Sequence, residues 1–224
     1  MNYETLDVRA DGPVGWLVFD RPDAGNAINA RMFVELEAAW AELEADPGVR
    51  AIVNTGNGHP FQTGLDVKQL ATDREALRAG SRQTRDFALR MTAWHCGVTK
   101  PVVAAVNGTC AGGGLHFVAD ADIVIAADDA TFLDPHVSVG QVSAFETIGL
   151  LKKAPMESVA RMALMGAHER LSAERARQLG IVSEVVAADD LRARARELAA
   201  RVAEGDPARM RSLKQMMWTA LEAP

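Results

Sequence analysis

The chain has 224 residues, a formal net charge of -6, and 48% hydrophobic and 24% charged residues. That length supports one full core with room for a helical appendage. An acidic balance with no long basic run argues against a nucleic-acid partner, and no stretch reaches the roughly 18 uninterrupted apolar residues of a membrane helix. Aromatic residues are only 5%, so the core is expected to consist of Ala, Val, Leu, Ile and Met. Met1 to Ala10 has no apolar h-region of a secretory signal. Cys96 and Cys110 have no CxxC partner and read as reduced structural thiols. A cytoplasmic, reducing compartment is the expectation.

Val14 to Phe19 reads as a strand, turned by Asp20-Arg21-Pro22-Asp23. Asn29 is suited to cap a helix reaching about Ala45, with Phe33, Leu36, Trp40 and Leu43 at helical spacing. Ala51 to Asn54 is a buried strand, closed by the turn from Gly56 to Pro60. Leu77 to Trp94 reads as a second long helix. Pro101 to Val106 is a strand turned by Asn107-Gly108, and Gly112-Gly113-Gly114 opens a helix through about Asp120. Ile123 to Ala126 and Thr131 to Leu133 are strands. From about Ala144 the chain is mostly helical. Ser172 caps a helix that Gly180 ends, Ile181 to Val186 is a strand, and Arg192 to Ala203 and Pro207 to Leu221 are helices. Strands alternating with helices predict an α/β fold with mostly parallel pairing. The composition shift near residue 150 predicts a core over 1–150 and a helical oligomerisation region over 151–224 that is not an independent domain.

Two segments carry most of the chemistry, Phe61 to Lys68 and Asn107 to His116. A glycine cluster between strand and helix exposes backbone N–H groups at a helix N-terminus. Two such groups from separate loops can converge on one carbonyl oxygen as an oxyanion hole. Tight strand–helix packing alone also accounts for a triple glycine.

Four stretches in chain order then resemble one family. Arg21-Pro22…Asn26-Ala27-Ile28-Asn29 is similar to its Arg-Pro…Asn-Ala-Leu-Asn motif, and Phe61…Gly64-Leu65-Asp66-Val67-Lys68 to its Phe-x-x-Gly-Ala-Asp-hydrophobic-Lys motif. Pro101 to Gly114 is similar to its strand–Asn-Gly–triple-Gly segment, and Leu171-Ser172-Ala173…Ala176…Gly180-Ile181-Val182 to its later Ser-Ala…Ala…Gly-Leu-Val stretch. The set resembles the crotonase (enoyl-CoA hydratase/isomerase) superfamily over about residues 14 to 190. The resemblance implies a spiral of ββα units followed by C-terminal helices that form homotrimers, often paired as hexamers. It implies a CoA thioester as substrate, no separate cofactor, and the Leu65 and Gly113 N–H groups on the thioester oxygen. Ala24, Asn26, Ala27, Gly64, Asp66, Lys68 and Gly112 are the implied substrate-binding positions. Leu65 stands where a small Ala is usual, which would narrow the acyl channel. Family members are usually longer than a chain ending at Pro224.

The departures concern the proton carriers. The family's hydratases place one glutamate two residues after the triple glycine and a second about 20 residues later. Those positions read His116 and His136 here. Hydration of an enoyl thioester needs a base and an acid, and two imidazoles near their unperturbed pKa of about 6.5 suit both tasks. Asp134 can orient His136. Glu146, in the stretch replacing the usual Pro-Gly-Ala-Gly-Gly, is a third candidate carrier. Packed or surface histidines in a diverged pocket are the plain alternative. No compact spacing supports a metal site, and His136-Val137-Ser138-Val139-Gly140 lacks the first glycine of a nucleophile elbow. His59 and His95 read as loop or surface residues. The expectation is therefore a hydratase- or isomerase-type enzyme working through an enolate. A catalytically silent acyl-CoA-binding protein, or a decarboxylase or C–C hydrolase of the same family, is the alternative.

Overall fold

The computed structural model describes residues 2–83, 85–86, 88–143 and 145–222. β1 (Leu6–Asp11) and β2 (Val14–Phe19) form an antiparallel hairpin, from Leu6 opposite Phe19 to Asp11 opposite Val14. α1 (Ala30–Ala45) follows; the Asn29 side chain accepts from the Met32 N–H at 2.8 Å, as its cap role requires. Phe33, Leu36, Trp40 and Leu43 are all buried on one face. Glu35 on the same helix is buried too, satisfied by the Glu4 and Thr5 N–H groups at 2.9 Å and by the Thr5 hydroxyl. β3 (Ala51–Gly56) then pairs in parallel with β2. Both strands are buried along their length. A strand covered on both faces has no polar side, so β2 reads as a nearly continuous apolar run; β3 buries Asn54 and Thr55 by bonding them to the Leu17 and Ala105 carbonyls.

α2 (Val67–Thr72) and α3 (Arg74–Gln83) come next. The expected single helix from Leu77 to Trp94 does not form. α3 stops at Gln83, and the short strands β4 (Arg85–Asp86) and β5 (Ala88–Leu89) pair antiparallel after it. Residues 84 and 87 of that range lie outside the described residues. Farther on, the Met91 carbonyl accepts from the Trp40 indole at 3.0 Å, and Thr92 donates to buried Asp120 at 2.8 Å. Long-range partners of this kind override a local helix preference.

β6 (Val102–Val106), β7 (Thr109–Ala111), a 3₁₀ turn over Gly112–Gly114, α4 (Leu115–Ala119), β8 (Ile123–Ala127) and β9 (Thr131–Leu133) complete the half of the chain that carries most strands. α5 (Phe145–Leu150), α6 (Met156–Met165), β10 (Leu171–Ser172), α7 (Ala173–Gln178), β11 (Glu184–Val186), α8 (Leu191–Ala203) and α9 (Pro207–Glu222) follow. Ala144, where the helical half was expected to begin, lies outside the described residues. The main sheet has the order β1-β2-β3-β6-β8-β11, parallel except for β1. A smaller sheet has the order β10-β9-β7. The strand expected over Ile181 to Val186 is shorter. Gly180 turns left-handed at φ +86°, and the Ile181 and Val182 N–H groups return to the Ala176 carbonyl at the end of α7.

The core is mainly Ala, Val, Leu, Ile and Met, as expected, and the few aromatics are concentrated within it. Phe19 meets Phe61 and Phe117 edge to face at 5.5 and 4.8 Å, and Trp40, Phe33 and Phe132 are fully enclosed. α8 lies on the main sheet through buried Ala195, Ala199 and Ala203, whose small side chains allow close approach. α9 is tied down by Lys214, whose Nζ donates to the Lys100 carbonyl and Asp122 at 2.8 Å each, and by the Trp218 indole on Asp122 at 2.6 Å. Both cysteines are free thiols, and burial pushes Cys96 up to about 12. Among the described residues no helix is long and apolar enough to cross a membrane.

Candidate active site

The loop before α2 and the loop after β7 touch at two glycines. Gln62 pairs with Cys110, with the Ala111 N–H on the Gln62 carbonyl at 2.9 Å. Gly64 is left-handed at φ +87°, and a Cβ there would sit 2.9 Å from the Gly113 nitrogen. A Cβ on Gly114 would lie 2.2 Å from the Gln62 carbonyl oxygen, so that position admits no side chain. Leu65 pairs with Ile28: the Ile28 N–H donates to Gly64 O at 2.8 Å and the Asp66 N–H to Ile28 O at 2.9 Å. A strand residue whose neighbours make both bonds directs its own N–H to the other side. Gly113 is the second residue of its 3₁₀ turn, where N–H groups have no acceptor within the turn.

The other expected binding residues divide into scaffold and surface. Asn26 is fully buried at φ +55°. Its oxygen accepts from the Arg21 N–H at 2.8 Å, and its amide donates to the carbonyls of Asn57, Pro60 and Phe61. Asp66 is buried, caps α2 through the Lys68 and Gln69 N–H groups at 3.1 Å, and pairs with Arg21 at 3.0 Å. Burial would raise its carboxyl, and these bonds outweigh that and lower it. The side chains of Asn26 and Asp66 therefore shape the loops. Ala27 is buried, Ala24 half-buried, and the Lys68 side chain is exposed. Leu65 is 37% exposed, which leaves its side chain available to a ligand.

Beside the glycine loop, the three expected proton carriers meet. His116 lies on α4 in the first turn after the glycines, and Glu146 in the first turn of α5. His116 Nε2 is 3.2 Å and His136 Nε2 3.7 Å from the same oxygen, Glu146 Oε1. The His136 ring abuts Gly112, where a Cβ would lie 3.4 Å from Cε1. On its other side His136 Nδ1 is 2.5 Å from Asp134 Oδ1. Asp134 is fully buried, takes the His136 backbone N–H at 3.2 Å, and accepts from the Thr147 hydroxyl at 2.8 Å. Thr147 is in turn 2.5 Å from the Ser143 hydroxyl.

The electrostatics follow from these contacts. Burial alone would raise Asp134, yet the bonds from His136, Ser143 and Thr147 hold it down at about 2. The bond to Asp134 raises His136 against burial, and the Glu146 charge adds to it. Burial would raise Glu146 as well; the His116 and His136 imidazoles beside it lower it instead. A carboxylate contacted by two imidazoles beside exposed backbone donors can move protons at a bound carbon centre. Thr147 and Ser143 had no signal in the sequence, since thirteen residues separate Thr147 from Asp134. His59 is exposed in its loop, near Asp129 at 3.4 Å, and His95 is half-buried beside Thr92 and Asp120, away from the cluster.

Comparison with known proteins bears on the family and the fold. The model of the family described as enoyl-CoA hydratase/isomerase matches residues 10–224. A probable enoyl-CoA hydratase of Mycobacterium bovis is 33% identical over 225 residues, covering 100% of this chain and 84% of that protein. A carnitinyl-CoA dehydratase of Salmonella enteritidis is 32% identical over 229 residues, covering 99% and 83%. Among solved structures, an enoyl-CoA hydratase/isomerase from Mycobacterium paratuberculosis superposes with a TM-score of 0.87 at 38% identity, covering 100% of this chain and 85% of that one. The chain belongs to the enoyl-CoA hydratase/isomerase (crotonase) family, and it has that family's α/β fold with C-terminal helices.

Proposed function

We propose that this protein is an acyl-CoA lyase that adds water to, or removes it from, a CoA thioester through an enolate. Isomerisation of the same thioester needs the same proton carriers. The Leu65 and Gly113 N–H groups hold the thioester oxygen, and His116, His136 and Glu146 carry the protons where the family usually has two glutamates. The observation that carries this reading is the cluster: two imidazole Nε2 atoms lie at 3.2 and 3.7 Å from one carboxylate oxygen, beside the Gly112–Gly114 turn. Names of relatives support the substrate class, since they include hydratases and a dehydratase of CoA esters. Lys68, exposed beside the Asp66 cap, is available to the CoA nucleotide.

The active form is a homo-oligomer, a trimer or hexamer. Phe145, Ile148, Met156 and Leu164 are exposed apolar residues in the helical half, with Val137 and Val142 just before it, and such concentrations support a protein interface. The test is a mass-spectrometric product screen of enoyl-CoA, 3-hydroxyacyl-CoA and malonyl-type CoA esters, with ester binding measured in parallel. A mass change of one water is the expected result. Loss of carbon dioxide or chain cleavage would move the assignment to a decarboxylase or C–C hydrolase. Binding with no product from any ester would leave a silent acyl-CoA-binding protein.

A further inference from the structure

His136 has a carboxylate at each end of its ring. Nδ1 faces Asp134 at 2.5 Å and Nε2 faces Glu146 at 3.7 Å. A ring nitrogen favours a carboxylate oxygen only when it carries a hydrogen, and a neutral imidazole has one hydrogen for two nitrogens. In the neutral form with Nδ1 protonated, a ring lone pair would face the Glu146 carboxylate. The imidazolium makes the hydrogen bond to Asp134 and, at 3.7 Å, a favourable ion-pair contact with Glu146. Asp134 is suited to hold that charge, being fully buried with a backbone N–H and the Thr147 hydroxyl on its oxygens.

We propose that Asp134 is a positioning residue that keeps His136 an imidazolium aimed at Glu146, making His136 the proton donor of the site and Glu146 its base. This rests on the reading of the cluster as the proton carrier of an acyl-CoA pocket. It divides the labour among residues that the sequence leaves equivalent. In the dehydration direction, Glu146 takes the α-proton of a 3-hydroxyacyl thioester. The C–H electron pair passes into the enolate, held by the Leu65 and Gly113 N–H groups. As the enolate collapses to the enoyl thioester, the C–O bond breaks. The Nε2 proton of His136 goes to the departing hydroxyl, which leaves as water. Glu146 is then neutral and His136 keeps its Nδ1 proton on Asp134. Because 3.7 Å is too long for direct transfer, a water relays one proton from Glu146 to Nε2 and restores both. His116 donates to the same Glu146 oxygen and steadies the base.

The charged groups facing His136 are few. Asp134 comes from its own segment and Glu146 from α5, with His116 of α4 beyond Glu146. The Gly112 loop brings no charge. From α6 and the turn after it, contact is made at Ser138, whose Oγ accepts from the Ala167 N–H at 2.8 Å. On that side Arg161 and Glu169 pair with each other at 2.9 Å, and Glu157 of α6 and His168 of the turn after it are exposed.

The test is NMR of the free protein with nitrogen-labelled histidine, assigned with His136→Ala. Just above the ordinary histidine pKa of about 6.5, where an unperturbed ring is mostly neutral, both His136 nitrogens are expected to remain protonated. Asp134→Asn should make the ring neutral at that pH, and Thr147→Val should lower its titration in the same direction by less. If Asp134→Asn does not fold, the Thr147 variant carries the comparison. On the best CoA ester, Asp134→Asn should lower kcat by about a hundredfold, change KM little, and shift the alkaline limb of the pH profile to lower pH. Asp134→Glu should restore part of the rate. A His136 ring neutral in the wild type at that pH, or titration unmoved by either substitution, overturns the proposal. The NMR arm needs no turnover, so it stands even if no CoA ester is a substrate.

Discussion

Replacing Gly64 with alanine should damage the site without touching any proton carrier. At φ +87° an L-residue is strained by about 1–2 kcal/mol. The new Cβ would also lie 2.9 Å from the Gly113 nitrogen and 3.2 Å from the Ala111 carbonyl oxygen. Both are backbone atoms and cannot swing aside. Ordinary contact begins at 3.4 Å, so the two loops must part by about half an ångström. That separation moves the Leu65 and Gly113 donors relative to each other. Donors act within a narrow range of about 2.7–3.1 Å from the developing oxyanion, and misplacements approaching 1 Å cost on the order of 10²-fold. The expected result is a fall in kcat/KM of about 10²-fold, or about 2.7 kcal/mol. The strain should lower Tm by about 2–8 °C, scaling about 2–4 °C per kcal/mol for a chain of this size. Steady-state kinetics on the best CoA ester, with a thermal melt, measures both. A Gly64→Ala protein that melts lower but keeps wild-type kcat/KM would refute the two-donor reading.

Two further predictions concern stability. Asp134 is lowered to about 2 in the fold, so it contributes stability that is present above its unfolded pKa of about 3.9 and is lost as pH falls toward 2. His136 is raised, so its contribution is full below about pH 6.5 and is lost as pH rises through its folded value. The Tm difference between wild type and Asp134→Asn should therefore be largest between about pH 4 and 6.5 and shrink on both sides; melts across pH check this, and a flat difference would contradict it. Lys214→Met should destabilise by about 2 kcal/mol, since it removes the ammonium bonded to half-buried Asp122 and to the Lys100 carbonyl. Chemical denaturation measures this, and a change under about 1 kcal/mol would mean that α9 is held mainly by Trp218.

Much of this architecture is legible in the sequence because it rests on local rules. Apolar runs mark β2, the start of β3 and β6, Asn29 and Ser172 mark helix starts, and glycines mark the turns. The glycine loops could be read as paired because their spacing matches a family. What the sequence hides is long-range. The helix expected through Trp94 fails because Trp40 and Asp120, distant in sequence, claim groups at Met91 and Thr92. Asn26 and Asp66 look like ligand contacts on a motif, yet their side chains are occupied by the loops themselves. His116, His136 and Glu146 could be named individually, but only tertiary packing brings two imidazoles to one carboxylate and puts Thr147 behind Asp134.

Exchange of the α-hydrogens of a saturated acyl-CoA in heavy water tests the enolate most directly, because every reaction proposed for the site passes through it. Mass spectrometry should find deuterium entering the ester with the wild-type protein, and exchange should be lost with Glu146→Gln while ester binding persists. Bound ester that never exchanges with the wild type, or exchange undiminished in Glu146→Gln, would contradict the account.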